Sequence, residues 1–177
     1  TDIANNQITY EHNSSETLSD AFTVALRDEP VFPDPENIVP ITVSAVITAV
    51  NDAPIISSPG VTLNEAATTS IGTASLTSTD TDNEDLELLY QMTLATTNGQ
   101  LFNSGVQLTT AAPNNTFTQA DLVDGNITYT HDGTETTGDV FEFTVTDAFA
   151  TDIGTGSTGG ASVGGSLIIT VLTTNDT

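Results

Sequence analysis

Residues 2–28, DIANNQITYEHNSSETLSDAFTVALRD, and residues 121–147, DLVDGNITYTHDGTETTGDVFEFTVTD, align without a gap at an offset of 119 (121 − 2). Ile8, Tyr10, His12, Glu16, Thr17, Asp20, Phe22 and Asp28 meet Ile127, Tyr129, His131, Glu135, Thr136, Asp139, Phe141 and Asp147. The following strands also correspond, with Asn51-Asp52 meeting Asn175-Asp176 at an offset of 124 (175 − 51). A period of this length means tandem copies of one structural unit. The chain therefore reads as the carboxy-terminal half of one repeat, residues 1–53, followed by one complete repeat, residues 54–177. Pro54 marks the boundary, because it breaks a strand and stiffens the connection. The difference between the two offsets is a loop after Asp147 that is five residues longer than its partner after Asp28, with a Gly/Ser/Thr-rich tract from Gly154 to Ser166.

Within the copies the hydrophobic period is two rather than 3.6. Ile41, Val43, Ala45, Ile47 and Ala49 alternate with Thr42, Ser44, Val46, Thr48 and Val50, and Phe141, Phe143 and Val145 alternate with Glu142, Thr144 and Thr146. Strict alternation predicts half-buried strands, and outward-facing Thr suits a solvated strand surface. Asn98-Gly99 and Asp124-Gly125 punctuate the strands as turns. Short strands at this spacing predict an all-β fold, an antiparallel sandwich of seven or so strands per complete repeat. One short helical turn is expected near Thr118 to Leu122. The expected core is Tyr90, Leu94, Ile127, Tyr129, Phe141, Phe143, Val145, Leu167, Ile169 and Val171. Residues 1–53 offer about three strands, a set of marginal stability alone, so the missing strands are expected either earlier in the natural chain or from another molecule.

Charge narrows the function. Asp and Glu number 24 against a single basic residue, Arg27, for a formal net charge of −23. No cationic footprint for nucleic acid or anionic lipid exists. No stretch of about 18 apolar residues predicts a transmembrane helix, and no signal peptide is recognisable. With no Cys, disulfides and thiolate zinc sites are excluded. The acids fall in clusters at defined places, which points to neutralisation by divalent cations, and oxygen ligands favour Ca2+. No Ser-His-Asp set, phosphate loop or His-rich zinc motif appears, so no enzyme is expected. His12 and His131 occupy equivalent positions of separate copies and read as hydrogen-bonded strand-end residues.

The run from Phe117 to Ala148, FTQADLVDGNITYTHDGTETTGDVFEFTVTDA, resembles the chondroitin-sulphate-proteoglycan repeat of the cadherin-like superfamily. GQLFNSGVQL at 99–108 is similar to that family's paired short strands, and NDAP at 51–54 to its interdomain linker. The resemblance implies an immunoglobulin-like Greek-key sandwich in a tandem array outside the cell, on a surface or secreted. It also implies the setting of giant bacterial surface adhesins.

Under that resemblance Asp80 and Asp82 look like the cadherin Asp-x-Asp motif, and two acids two apart on an extended chain face one side. Glu65 resembles the glutamate of the cadherin first strand. Asp132 and Glu135, with Asp139, resemble the Asp-x-Glu element at a spacing longer by one. The expected Ca2+ ligands at the junction are Glu16, Asn51, Asp52, Asp80 and Asp82, with Asn13 and Asp20 as secondary candidates. At the far end they are Glu65, Glu135, Asn175 and Asp176, with Asp132 and Asp139 secondary. The leading function is a calcium-stiffened spacer that supports cell adhesion, with neighbouring repeats of the same chain as partners. A filament subunit joined to other copies by strand exchange, or a ligand-gripping module, are the alternatives; Trp is absent and only three Tyr occur, which disfavours a glycan site.

Overall fold

The computed structural model describes residues 5, 7–27, 38–48, 50–147 and 160–174. It divides into two compact units, Thr1–Ala49 and Val50–Thr177, so the linker residues Val50 to Ala53 belong with the second unit. The first unit is an antiparallel ribbon of β1 (Ser19–Arg27) and β2 (Ile38–Val46). Asp28, which the repeat pairs with Asp147, lies outside the described residues.

The second unit is a two-sheet sandwich of short strands. One sheet has the order β10 (Thr116–Thr118), β7 (Leu88–Leu94), β12 (Gly138–Asp147), β13 (Ser162–Leu172), β4 (Val61–Asn64). The other has the order β5 (Thr68–Ser70), β11 (Ile127–His131), β8 (Gly99–Asn103), β9 (Val106–Gln107). A small pair, β3 (Ile55–Ser57) with β6 (Thr77–Thr79), completes it. Pairing is antiparallel except between β4 and β13, which run parallel.

Alternation builds the core. Along β12 the inward residues Phe141, Phe143 and Val145 are buried while Val140 and Glu142 are exposed, and Leu167, Ile169 and Val171 of β13 do the same. Across the sandwich they meet Ile127, Tyr129 and Leu101. Tyr90 stacks on Phe117 with ring centroids 4.7 Å apart and tilts against Phe143 at 5.2 Å, geometries that add to simple burial. The single helix among the described residues, α1 (Gln119–Val123), is one turn closed by a capping box. The Thr118 side chain accepts from the Asp121 N–H, and the Asp121 side chain accepts from the Thr118 N–H, satisfying two orphan donors.

One expected core residue is misplaced. Leu94 is 43% exposed. The β7–β12 register shifts at Glu142/Phe143, where Phe143 faces Met92 but Glu142 faces Leu94. Thr93 is the extra residue of this bulge, which turns Leu94 to the outer face beside Glu142.

Candidate metal centre

The β3–β6 pairing sets Ile55 opposite Thr79, which lays the residues before β3 alongside those after β6. The Asp52 N–H donates to Asp82 Oδ2 at 2.7 Å, and the Asp82 N–H donates to Asp80 Oδ1 at 2.8 Å. Carboxylate oxygens of Asp52 and Asp82 lie within 4.8 Å of one another. The third segment arrives on β12, whose last residue, Asp147, pairs with Leu88. Asn51 Nδ2 donates to Asp147 Oδ2 at 2.6 Å. Thus linker, post-β6 loop and the end of β12 converge at one pole of the unit.

At that pole, oxygens go unmatched. Asn51 Oδ1, Asp80 Oδ2, Asn83 Oδ1 and Asp147 Oδ1 are each buried without a hydrogen-bond partner, and Asp147 is fully buried. A buried acceptor left unmatched costs about 1–3 kcal/mol, and more when it is charged. A side chain on Gly160 would collide with Asp147 Oδ1, so glycine is what lets the backbone pack this closely over the carboxylate. The unmatched donor set is oxygen only, two carboxylates and two amide carbonyls. That chemistry fits a hard cation, Ca2+ above all, whereas thiolate- or imidazole-seeking metals find no ligand there.

The remaining acids are distributed elsewhere. Glu65 is buried, and its Oε2 accepts from the Thr174 N–H at 3.1 Å. Glu135 is exposed, and Asn175 and Asp176 lie outside the described residues. Asp132 is exposed and turned into its own loop, where Oδ1 accepts from the Thr134 N–H and Oγ1 at 3.0 and 2.7 Å. Those bonds hold its carboxyl below the usual carboxylate range. Asp139 spends both oxygens on protein donors, namely the N–H groups of Thr97, Asn98 and Val140 and the hydroxyls of Thr97 and Tyr129. In the first unit Glu16 is exposed, Asn13 Oδ1 accepts from the Ser15 N–H at 3.2 Å, and Asp20 Oδ2 accepts from the Tyr10 hydroxyl at 2.9 Å. His131 is structural, with Nδ1 accepting from the N–H groups of Ala66 and Gly133 and Nε2 facing Thr136 Oγ1 at 3.0 Å.

Of the ligands expected at the junction, the second unit brings Asn51, Asp52, Asp80 and Asp82 together. Sequence reasoning missed Asn83 and Asp147. A signal for Asp147 existed: it continues the inward series Phe141, Phe143, Val145, and an acid at an inward strand position needs a partner.

The second unit is thus a largely antiparallel sandwich with an oxygen-lined pole at its linker end. The chain belongs to the cadherin-like family, whose match spans residues 54–157. Similar relatives include FRAS1-related extracellular matrix protein 2 of Homo sapiens, 27% identical over 155 residues covering 84% of this chain and 4% of that protein. Extracellular matrix protein 3 of Lytechinus variegatus is 35% identical over 106 residues, 59% of this chain and 3% of that protein. Chondroitin sulfate proteoglycan 4 of Homo sapiens is 31% identical over 149 residues, 83% of this chain and 6% of that protein. The chain thus spans a few per cent of the length of these relatives. Like them it is extracellular, and among the described residues no helix is long and apolar enough to cross a membrane.

Proposed function

We propose that this chain is a spacer segment of an extracellular adhesion protein, in which Ca2+ at the linker pole of each repeat fixes the connection to its neighbour. The role is mechanical rather than catalytic. The observation that carries the reading is the set of four unmatched buried oxygens, on Asn51, Asp80, Asn83 and Asp147. Asp52 and Asp82 stand beside them, and Glu16 is the ligand that the sequence assigns from the preceding repeat. The far-end set of Glu65, Glu135, Asn175 and Asp176 is proposed to serve the next junction in the same way. The sequence resemblance sets such stalks in large bacterial adhesins, whereas the relatives named above are animal matrix proteins.

The ion supplies positive charge where several carboxylates would otherwise repel one another. The protein supplies the rest: the two N–H bonds within the 52–82 loop contact orient Asp82 and Asp80, and the Asn51 amide holds Asp147 through its other oxygen. Affinity on the order of 10⁻⁴–10⁻³ M suits an extracellular module. At ten times Kd, binding stabilises the fold by about 1.4 kcal/mol, which raises Tm by roughly 5 °C for a unit of this size. Calorimetry with a calcium titration tests this, alongside small-angle scattering for the stiffness of the connection. D80N/D82N and, separately, D147N should each abolish most of the gain. An unchanged melt in wild type between chelator and millimolar calcium overturns the proposal.

A further inference from the structure

Three oxygen-bearing side chains of the metal centre sit on a segment with little regular structure of its own. Asp80, Asp82 and Asn83 follow β6 directly, and residues 80–87 run as bends and a turn until β7 begins at Leu88. β6 is only three residues long and pairs with β3 alone. A two-stranded pairing of that length is marginal in water. A loop hung from it would let its oxygens wander, whereas Ca2+ needs several of them at once.

The single turn of α1 grips that segment at both ends. Gln119 and Leu122 lie one turn apart on α1 and share its buried face. The Gln119 side chain gives β6 a second neighbour. Its Oε1 accepts from the Ser78 N–H at 2.8 Å, the Ser78 hydroxyl at 3.3 Å and the Tyr90 hydroxyl at 2.9 Å. Its Nε2 donates to Thr77 Oγ1 at 3.1 Å. Ser78, Tyr90 and Gln119 are all buried, so these bonds are shielded from competing water. The next residue closes the far end. The Ala120 N–H, one of the donors that a helix start leaves unpaired, donates to Asp85 O at 3.2 Å. The chain therefore leaves α1 at Ser78 and returns to it at Asp85, with Asp80, Asp82 and Asn83 on the excursion. Glu87 tightens the return, its Oε2 accepting from the Glu84 N–H at 3.0 Å and from Asn83 Nδ2 at 3.3 Å. That second bond leaves Asn83 Oδ1 as the unmatched atom.

We propose that α1 is a clamp on the metal-binding loop and that Gln119 is its positioning residue. Gln119 acts through Ser78, two residues ahead of Asp80, and not as a ligand. The clamp sets the spacing of the Asp80, Asp82 and Asn83 oxygens before an ion arrives, so binding orders less of the chain. Groups that hold a metal ligand in place are worth about 10–100-fold in affinity. The consequence for affinity rests on the calcium reading above; the grip on the loop does not.

The test uses the whole chain and Q119M, which keeps the bulk of the side chain and removes its amide. S78A, which removes one hydroxyl and keeps the backbone donor, is a milder second variant should Q119M fail to fold. I127V trims the core on β11 and controls for lost stability. Amide exchange at Asp82 and Glu87 is followed in chelator, and calcium affinity is titrated by calorimetry where every variant is folded. Q119M should exchange roughly tenfold faster at both amides and bind calcium about tenfold more weakly or worse. S78A should move both readouts the same way by less, and I127V should move neither. Three results overturn the proposal: wild-type exchange in the loop of Q119M and S78A, equal loosening of the loop by I127V, or a loosened loop with unchanged calcium affinity. A wild type that binds no calcium overturns the calcium reading instead, and exchange in chelator then decides the clamp by itself.

Discussion

Single carboxylates in this protein do different work according to what they receive. Asp121 closes the capping box of α1. Partial burial acts to raise its pKa, but the Thr118 N–H and hydroxyl, with Asn126 and Asn103, outweigh that and hold it below the ordinary value. A depressed carboxyl contributes stability that is present above the unfolded pKa of about 4 and is lost as pH falls through the lower folded value. D121N should cost about 1 kcal/mol at pH 7, and the gap to wild type should close near pH 2, which denaturant melts at both pH values will check. Asp147 receives one amide bond and keeps an unmatched oxygen, which makes it a candidate metal ligand where Asp121 is not. Asp80 and Asp82 were expected from their spacing on an extended segment, but the structure puts them in a bend, tied by the Asp82 N–H on Asp80 Oδ1. Asn83 was not expected, since an amide in a polar loop gives no local sign of being buried. Tyr90 was expected in the core, but its hydroxyl partner, the buried Gln119 Oε1 at 2.9 Å, is fixed only by tertiary packing. Burial, with Asp85 adding to it and Ser78 opposing, lifts the Tyr90 pKa to about 12. The neutral phenol therefore contributes stability that is complete below about pH 10 and lost as pH rises toward 12. Y90F should flatten this alkaline loss in melts followed with tyrosinate absorbance.

At the scale of elements, the two ribbons share a register but exchange bulk across it. Phe143 faces Gly165 in the second unit, where a Cβ on the glycine would lie 2.9 Å from the Phe143 ring. Val24 faces Ile41 at the equivalent place. The pairs fill similar space in opposite ways, one large ring with no side chain against two branched chains. G165I alone should destabilise the second unit by roughly 1–3 kcal/mol through overpacking. F143V/G165I, which installs the first unit's solution, should recover most of that loss, and a double-mutant cycle of denaturant melts measures the coupling. The same comparison shows what alternation could and could not reveal. It assigned the inward faces of β11, β12 and β13 correctly, because one buried face imposes period two. It failed at Leu94, because the bulge belongs to the pairing with β12 and leaves no trace in β7 itself. The helical turn expected near Thr118 to Leu122 is present as α1, and its Thr-x-x-Asp cap is the local reason for it.

For the whole molecule, the uneven distribution of core has a calorimetric consequence. Among the described residues, the buried cluster lies in the second unit, residues 50–177 or 128 positions (177 − 49). At about 0.7 kcal/mol per residue near 60 °C, the unfolding enthalpy should be close to 90 kcal/mol, well below the roughly 120 kcal/mol of a chain of this length folded throughout. A scan returning the larger value would mean that the first unit also packs cooperatively. The second unit carries a further property in its connectivity. Its early strand β4 and its last strand β13 lie side by side and parallel, with Val61, Thr62, Leu63 and Asn64 set against Ile169, Thr170, Val171 and Leu172. Tension applied to the two ends of the unit pulls these neighbours in opposite directions along their length. The bonds between them are then sheared together instead of being peeled one at a time, so the fold resists stretching most at the very place where a load would enter and leave it.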